Sequence, residues 1–136
     1  MSSRNVRAFA PPPQEGIDGQ YARGLAEGAF MVQVCAGCKA VRWPPTARCA
    51  RCLAAEHTWA AASGRGRLWS WTVMHRSYFP GAEEQLPYAI GYIRLDEGPM
   101  VMARLRTATG ARCDAEVALL ADESRDAGIA VFGLID

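Results

Sequence analysis

The chain has no surplus of charge of either sign. Its 136 residues include 15 basic and 14 acidic side chains, for a formal net charge of +1. A nucleic-acid-binding domain usually carries a basic stripe that neutralises phosphates, and this balance supplies none. Long apolar runs are missing as well; no stretch approaches the roughly 20 residues that cross a bilayer. Met1 to Pro13 lacks the apolar core of a signal peptide, so the expected setting is cytoplasmic. Histidine is scarce, with two in the chain. Neither His57 nor His75 stands in a motif with a nucleophile, and a lone histidine is more often a hydrogen-bonded surface residue than a catalyst. Cys113 has no motif around it that would activate a thiolate. Asp96 and Glu97 are adjacent on a turn, where they shape the loop and do not form an acid–base pair. An enzyme needs a nucleophile, an acid or base, or an open metal, so the sequence points away from catalysis by this chain alone.

What the chain does have is two Cys-x-x-Cys pairs, Cys35/Cys38 and Cys49/Cys52. Two thiolates on one tight turn face the same side and can share a metal, and a second such turn completes a tetrahedral four-sulfur site. The segment from Lys39 to Arg48 is long enough to carry the second turn back to the first. Disulfides do not suit a cytoplasmic chain, and a redox Cys-x-x-Cys does not explain two copies. The spacing therefore predicts a structural zinc ribbon. Rubredoxin-type iron uses the same ligands and spacing, so the sequence leaves zinc and iron both open. Four sulfurs fill the shell, and such a metal holds structure without catalysing. A ribbon of some forty residues needs it, because so short a unit buries too little apolar area to fold alone.

Three regions follow. Residues 1–19 are polar, contain Pro11-Pro12-Pro13 and read as a flexible N-terminal arm. Residues 20–62 hold a short helix from Gln20 to Phe30, marked by Tyr21, Leu25 and Ala29 at helical spacing, and then the ribbon from Met31 to Trp59. Within it, Trp43-Pro44-Pro45 stops any helix and presents a rigid, partly apolar corner. Ser63-Gly64-Arg65-Gly66 marks the break before residues 63–136. That last region reads as strands: Arg67 to His75, Tyr88 to Leu95, Met100 to Arg106, Asp114 to Ala121 and Ile129 to Ile135. Trp69, Trp71 and Val73 alternate on one face of the first and are expected in the barrel core. Asp96-Glu97-Gly98-Pro99 forms a turn. Five short strands with no helical pattern between them predict an all-β, five-stranded barrel of the OB-fold kind.

In this order the motifs resemble those of the small OB-fold proteins with an N-terminal rubredoxin-like zinc ribbon that accompany thiolases and related acyl-CoA enzymes. The resemblance is carried by Gly24-Leu25, Gly28, Cys35-Ala36-Gly37-Cys38, Trp43-Pro44-Pro45, Cys49-Ala50-Arg51-Cys52, Trp59, Ser63-Gly64-Arg65-Gly66, Pro87-Tyr88, Leu95-Asp96-Glu97-Gly98-Pro99 and Phe132. The chain departs from that family at Lys39, where glycine is usual, at Ala50 in place of proline, and at Thr46 in place of a basic residue. It also lacks the customary proline beyond Phe132. The resemblance implies a non-catalytic accessory subunit that docks on a thiolase, a related synthase or a hydratase, and helps form the acyl-CoA site. It further implies a heterotetramer with two copies of each chain and coenzyme A thioester as a ligand shared with the partner. Arg76, Tyr78 and Phe79, on the connection between the first two barrel strands, are candidate contacts to partner or coenzyme A, as is Trp43.

Two other readings compete. Zinc ribbons and OB-folds both bind single-stranded nucleic acid, and Trp69, Trp71, Tyr88 and Tyr92 would then be stacking platforms. The near-zero charge weighs against that reading, and steep salt dependence would reveal it. A stand-alone acyl-CoA-binding protein is the other, and it predicts coenzyme A affinity without a partner.

Overall fold

The structure, a computed structural model, describes residues 13–135 apart from Phe79 and Gly81. The arm expected over residues 1–19 thus lies largely outside the described residues. Its last part is helical: α1 spans Gly16–Ala26, starting four residues before the expected Gln20. The helix stops early as well, because Gly28 takes the left-handed backbone (φ +87) that ends a helix where other residues would be strained. Gly24 lies directly against the Met31 side chain, an approach that leaves no room for a Cβ.

Three strands form the ribbon sheet: β1 (Met31–Cys35), β2 (Val41–Arg42) and β3 (His57–Ala61), in the order β2-β1-β3. The pairing of β1 with β3 is antiparallel, from Met31 opposite Ala61 to Cys35 opposite His57. Trp59 Nε1 donates to Gln20 Oε1 at 2.8 Å and ties β3 to the helix.

The chain then enters a closed barrel of β4 (Arg65–Met74), β5 (Tyr88–Leu95), β6 (Met100–Leu105), β7 (Glu116–Leu119) and β8 (Val131–Leu134). Its order is β4-β5-β6-β8-β7, with β6 and β8 parallel and the other pairs antiparallel. Closure leaves no unpaired strand at a sheet edge, which is how a small barrel avoids edge-to-edge association. The Asp96–Pro99 turn joins β5 to β6, and Glu97 Oε2 accepts a hydrogen bond from the Ser63 N–H at 2.7 Å. Glu97 therefore braces the ribbon–barrel connection.

One core runs through both parts. Leu68, Ile93, Leu95, Val101, Leu105, Val117 and Phe132 fill the barrel, while Leu25, Phe30 and Val32 extend the same cluster into helix and ribbon. Phe30 is the joint: its ring lies 6.0 Å from Phe132, 5.5 Å from Tyr21 and 5.8 Å from Trp43.

Two expectations are corrected. A second helix, α2 (Ala121–Ala127), separates β7 from β8, where no helical pattern was expected between the strands ending at Ala121 and starting at Ile129. Its signals were present: Asp122 and Glu123 in the first turn, and Gly128 at φ +76 closing the end. Trp69 and Trp71 are not barrel core; they are 58% and 36% exposed. The pairing of β4 with β5 shifts between Leu68 and Ser70, a bulge that breaks the alternation. Leu68 takes the inward position and Trp69 is turned to the surface. No described helix is long and apolar enough to cross a membrane.

Candidate metal centre and apolar groove

The two cysteine turns are near copies. In each, the first cysteine's carbonyl accepts from the residue four positions on, Lys39 N–H at 3.0 Å and Leu53 N–H at 2.8 Å. Each first cysteine also donates its N–H to the residue five positions on, Ala40 and Ala54, at 2.9 and 3.0 Å. Such tight closure puts Lys39 and Leu53 in the left-handed region, both at φ +66. Left-handed backbone costs a non-glycine residue roughly 1–2 kcal/mol, partly offset by the greater unfolded-state entropy of glycine. Lys39→Gly should therefore stabilise the metal-loaded chain by about 0.5–1 kcal/mol, read as a higher urea midpoint at unchanged m-value. A lower midpoint would mean that the lysine side chain has a use of its own.

All four sulfurs lie within 4.8 Å of one another. Cys35 Sγ is 3.5 Å from Cys52 Sγ, and Cys38 Sγ is 3.6 Å from Cys49 Sγ. Four sulfurs tetrahedrally placed about 2.3 Å from one zinc would be about 3.8 Å apart, so the cluster has the right size. Backbone N–H groups point at the sulfurs, Cys38 to Cys35 at 3.5 Å and Arg51 to Cys49 at 3.3 Å. The Cys38 N–H is the main cause that draws the Cys35 thiol down to about 6, against burial, and the Cys52 and Arg51 N–H groups lower Cys49. Cys52 behaves oppositely. The Ala54 N–H lowers it, but its three sulfur neighbours and burial together push it up to about 11. Four sulfurs this close cannot share negative charge without a cation among them, so the donor set fits a divalent thiophilic metal. Among the described residues this is the one group of His, Cys, Asp and Glu side chains close enough to hold a metal.

Behind the centre, the fully buried Gln33 uses its whole amide. Its Oε1 accepts from Arg42 Nε at 3.0 Å and Thr46 N–H at 2.9 Å, and its Nε2 donates to the Thr46 carbonyl at 3.0 Å. The remaining Nε2 hydrogen faces His57 Nε2 at 3.2 Å, leaving His57 Nδ1 to donate to the Ala55 carbonyl at 3.2 Å. His57 is thus a structural link between strands. Gln33 escaped notice in the sequence because nothing there separates it from a surface polar residue. His75 and Cys113 are exposed and do not belong to the metal group.

A concavity of about 510 Å³ lies where three elements meet. Tyr21 and Leu25 of α1 form one wall, the Trp43-Pro44-Pro45 corner a second, and Tyr88, Ile90, Met102 and Arg104 on the outer face of β5 and β6 the third. The Arg104 guanidinium carbon lies over the Tyr88 ring, 4.3 Å from its centre, and Nη1 donates to Gln85 Oε1 at 2.9 Å. Burial lowers its pKa, against the pull of Tyr88. Of the candidate contacts, Trp43 is in this groove. Arg76 and Tyr78 are exposed and not on its walls, and Phe79 lies outside the described residues. Met102 and Arg104 were not singled out from the sequence, although two-residue alternation from buried Val101 and Ala103 places both outward.

Beyond the groove an apolar row continues over the barrel. Met102, 63% exposed, pairs with Tyr92, 40% exposed, and Trp69 stands on the neighbouring bulge with the Arg94 guanidinium 5.3 Å from its ring. The other arginines near Trp69 on β4 have acidic neighbours: Arg65 faces Glu116 at 3.8 Å, and Arg67 faces Asp114 and Glu116 at 3.7 and 3.8 Å.

Comparison with known proteins places these features in a family context. The family model for the rubredoxin-like zinc ribbon domain of ChsH2 matches residues 22–58, and that for the C-terminal OB-fold domain of ChsH2 matches residues 59–121. A benzoylsuccinyl-CoA thiolase subunit, BbsA, from Thauera aromatica is 33% identical over 93 residues. That match takes in 68% of this chain and 62% of the relative. A probable enoyl-CoA hydratase alpha subunit from Thermomonospora curvata is 28% identical over 106 residues, 77% of this chain and 33% of the relative. The chain therefore spans about a third of one curated relative and three-fifths of the other. Among solved structures, the Ltp2-ChsH2(DUF35) aldolase aligns with a TM-score of 0.70 at 24% identity, covering 90% of this chain and 98% of that one. A DUF35-family protein of unknown function from Sulfolobus solfataricus aligns at 0.66 with 12% identity, over 98% of this chain and 90% of that one. At these identities the structural likeness concerns the fold.

Proposed function

We infer, because this chain belongs to the ChsH2 family of rubredoxin-like zinc-ribbon and OB-fold proteins, that it is a non-catalytic accessory subunit of a thiolase-type acyl-CoA enzyme complex. The complex would make or break a carbon–carbon bond on a 3-ketoacyl-CoA or related thioester. The observation that carries the reading is the apolar row of Met102, Tyr92 and Trp69 running on from the groove. A contiguous patch of this kind on a small protein marks an interaction surface. Support also comes from two relatives whose names make them a thiolase subunit and an aldolase.

In this reading Cys35, Cys38, Cys49 and Cys52 hold a structural zinc, which cross-links the two turns and rigidifies the ribbon. The boundary between helix–ribbon unit and barrel lies at Ser63. Trp43, with the loop of Arg76, Tyr78 and Phe79, contacts partner or coenzyme A thioester, and the nucleophile and base belong to the partner. Two copies of each chain would form the assembly. The ion pairing of Arg65 and Arg67 weighs against a nucleic-acid surface around Trp69.

Pull-down from the native host, with metal analysis of the same sample, tests this reading. A thiolase-like protein should be recovered in near-stoichiometric amount with one zinc per chain. Tyr92→Glu and Met102→Glu change exposed side chains, so the fold should survive while recovery of the partner collapses. A central interface residue is worth about 2 kcal/mol or more, roughly 30-fold in affinity. Undiminished recovery by both variants would remove this face from the interface. Recovery of nucleic acid, or tight coenzyme A binding by the pure chain alone, would overturn the accessory role.

A further inference from the structure

Closure of the barrel covers only the first part of β4 on both sides. Arg65, Gly66 and Arg67 pair with Ala118, Val117 and Glu116 of β7. One residue on, the Leu68 N–H donates to the Ala115 carbonyl at 2.8 Å, and the Leu68 carbonyl accepts from the Asp114 N–H at 2.7 Å. There the cover ends, where Asp114 takes the left-handed backbone at φ +68. β4 runs on through Trp69–Met74 with β5 on one side, from Ser70 opposite Tyr92 to Met74 opposite Tyr88. On the other side no described residue pairs with this stretch.

An open strand edge presents alternating backbone N–H and C=O groups, and what fits such a row is another extended backbone. Proteins commonly guard an open edge with charged side chains or proline. Trp69-Ser70-Trp71-Thr72-Val73-Met74 has neither, and its aromatic and β-branched side chains favour the extended chain. The bulge between Leu68 and Ser70 lies at the covered end, and the register runs unbroken from Ser70 to Met74. Side chains add selectivity. Trp71 stands opposite Gly91, a neighbour too small to cover it, and is 36% exposed. An apolar side chain on an added strand would lie beside it.

Charge sets the direction. Beyond Met74 come the exposed His75 and Arg76, and Arg76 has no ion-pair partner among the described residues. At the covered end Arg67 already faces Asp114 and Glu116, at 3.7 and 3.8 Å. The unbalanced charge therefore sits at the Arg76 end. A second copy of this chain fits poorly. Antiparallel pairing centred on Trp69–Met74 would set Arg67 against Arg76, and like charges directly opposite are destabilising.

We propose that the Trp69–Met74 edge receives an extended segment of a partner protein, added antiparallel to β4. The segment is uncharged through its middle, with apolar side chains at alternate positions, and acidic at the N-terminal end that meets Arg76. The edge adjoins the apolar row, since Ser70 pairs with Tyr92. The inference adds to the accessory reading the kind of segment a partner offers, but its test needs no partner, so either can fail alone.

The test is nuclear magnetic resonance on the full, metal-loaded chain with a synthetic peptide, Asp-Asp-Thr-Val-Thr-Val-Thr-Val, blocked at both ends. The Trp69–Met74 amide resonances should shift on titration, and their hydrogen exchange should slow about tenfold as the edge is covered. The same peptide with proline at two adjacent interior positions lacks a donor on either edge and should leave them unmoved. Replacing its two aspartates with lysines should weaken binding about fivefold, the upper range for an exposed ion pair. In the exposed-site variant Arg76→Glu that order should reverse. No change at Trp69–Met74, or changes confined to the groove, would overturn the proposal. Equal affinity for the acidic and basic peptides would overturn it too. So would slowed exchange in the peptide-free chain that grows with protein concentration, because the edge would then be pairing with a second copy.

Discussion

Cys49→Ser is expected to empty the metal centre and unfold the ribbon, while Cys113→Ser leaves both intact. Cys49 is buried and belongs to the four-sulfur group, whereas Cys113 is exposed and outside it. A structural zinc contributes about 10–16 kcal/mol of apparent binding free energy, on the order of the whole stability of a small domain. Serine puts a hard hydroxyl where a thiolate is needed, and three remaining sulfurs bind more weakly. Metal per chain should fall from one towards zero, and the parent's single denaturation transition should give way to a smaller one from the barrel alone. The Cys113→Ser midpoint should stay within about 0.5 kcal/mol, as for an ordinary surface change. Metal analysis of the parent also decides between zinc and iron. A Cys49→Ser chain that kept its metal and its midpoint would show that the centre does not stabilise the fold.

The metal centre was legible because its chemistry is local. Two short cysteine turns state their ligands in the sequence, and the intervening segment needs only to return. The barrel was legible for a similar reason: Tyr88–Leu95 and Met100–Leu105 alternate and are divided by a Gly-Pro turn, and the observed strands match the expected ones within a residue. What failed depended on register. One residue inserted at the Leu68/Ser70 bulge moved Trp69 from the expected interior to the surface, and no composition rule announces such an insertion. The helix α2 was hidden because it is short, at seven residues, with Ser124 and Ala127 as its buried side chains in place of an apolar stripe. The groove was the least legible feature. Its walls come from residues near 21, 43, 88 and 102, and only the docking of the ribbon against the barrel brings them together. Trp43 was noticed as an apolar corner, but the lack of a hydrogen-bond partner for its Nε1 among the described residues exists only once the walls are assembled.

That docking rests on Phe30, and Phe30→Ala should show how much. The ring is 1% exposed and contacts one aromatic from the helix, one from the ribbon corner and one from the last barrel strand. Phenylalanine truncation in a packed core costs about 3–5 kcal/mol, and the aromatic pairs add about 0.5–1.5 kcal/mol each beyond area. These sums are not additive, since the three rings can partly collapse onto the space left. About 4 kcal/mol is the expected loss, read from the urea midpoint of the metal-loaded chain. The form of the transition carries more information than its size. A core continuous from Leu25 to Phe132 should unfold the parent in one step. Without the Phe30 ring, ribbon and barrel should part into two steps, with metal retained through the first. Trp43 fluorescence would follow the helix–ribbon contact, and far-ultraviolet circular dichroism the barrel strands. A loss under 1 kcal/mol with a single transition would mean that Phe30 merely fills space, and that ribbon and barrel are held together by other contacts, the Ser63–Glu97 hydrogen bond among them.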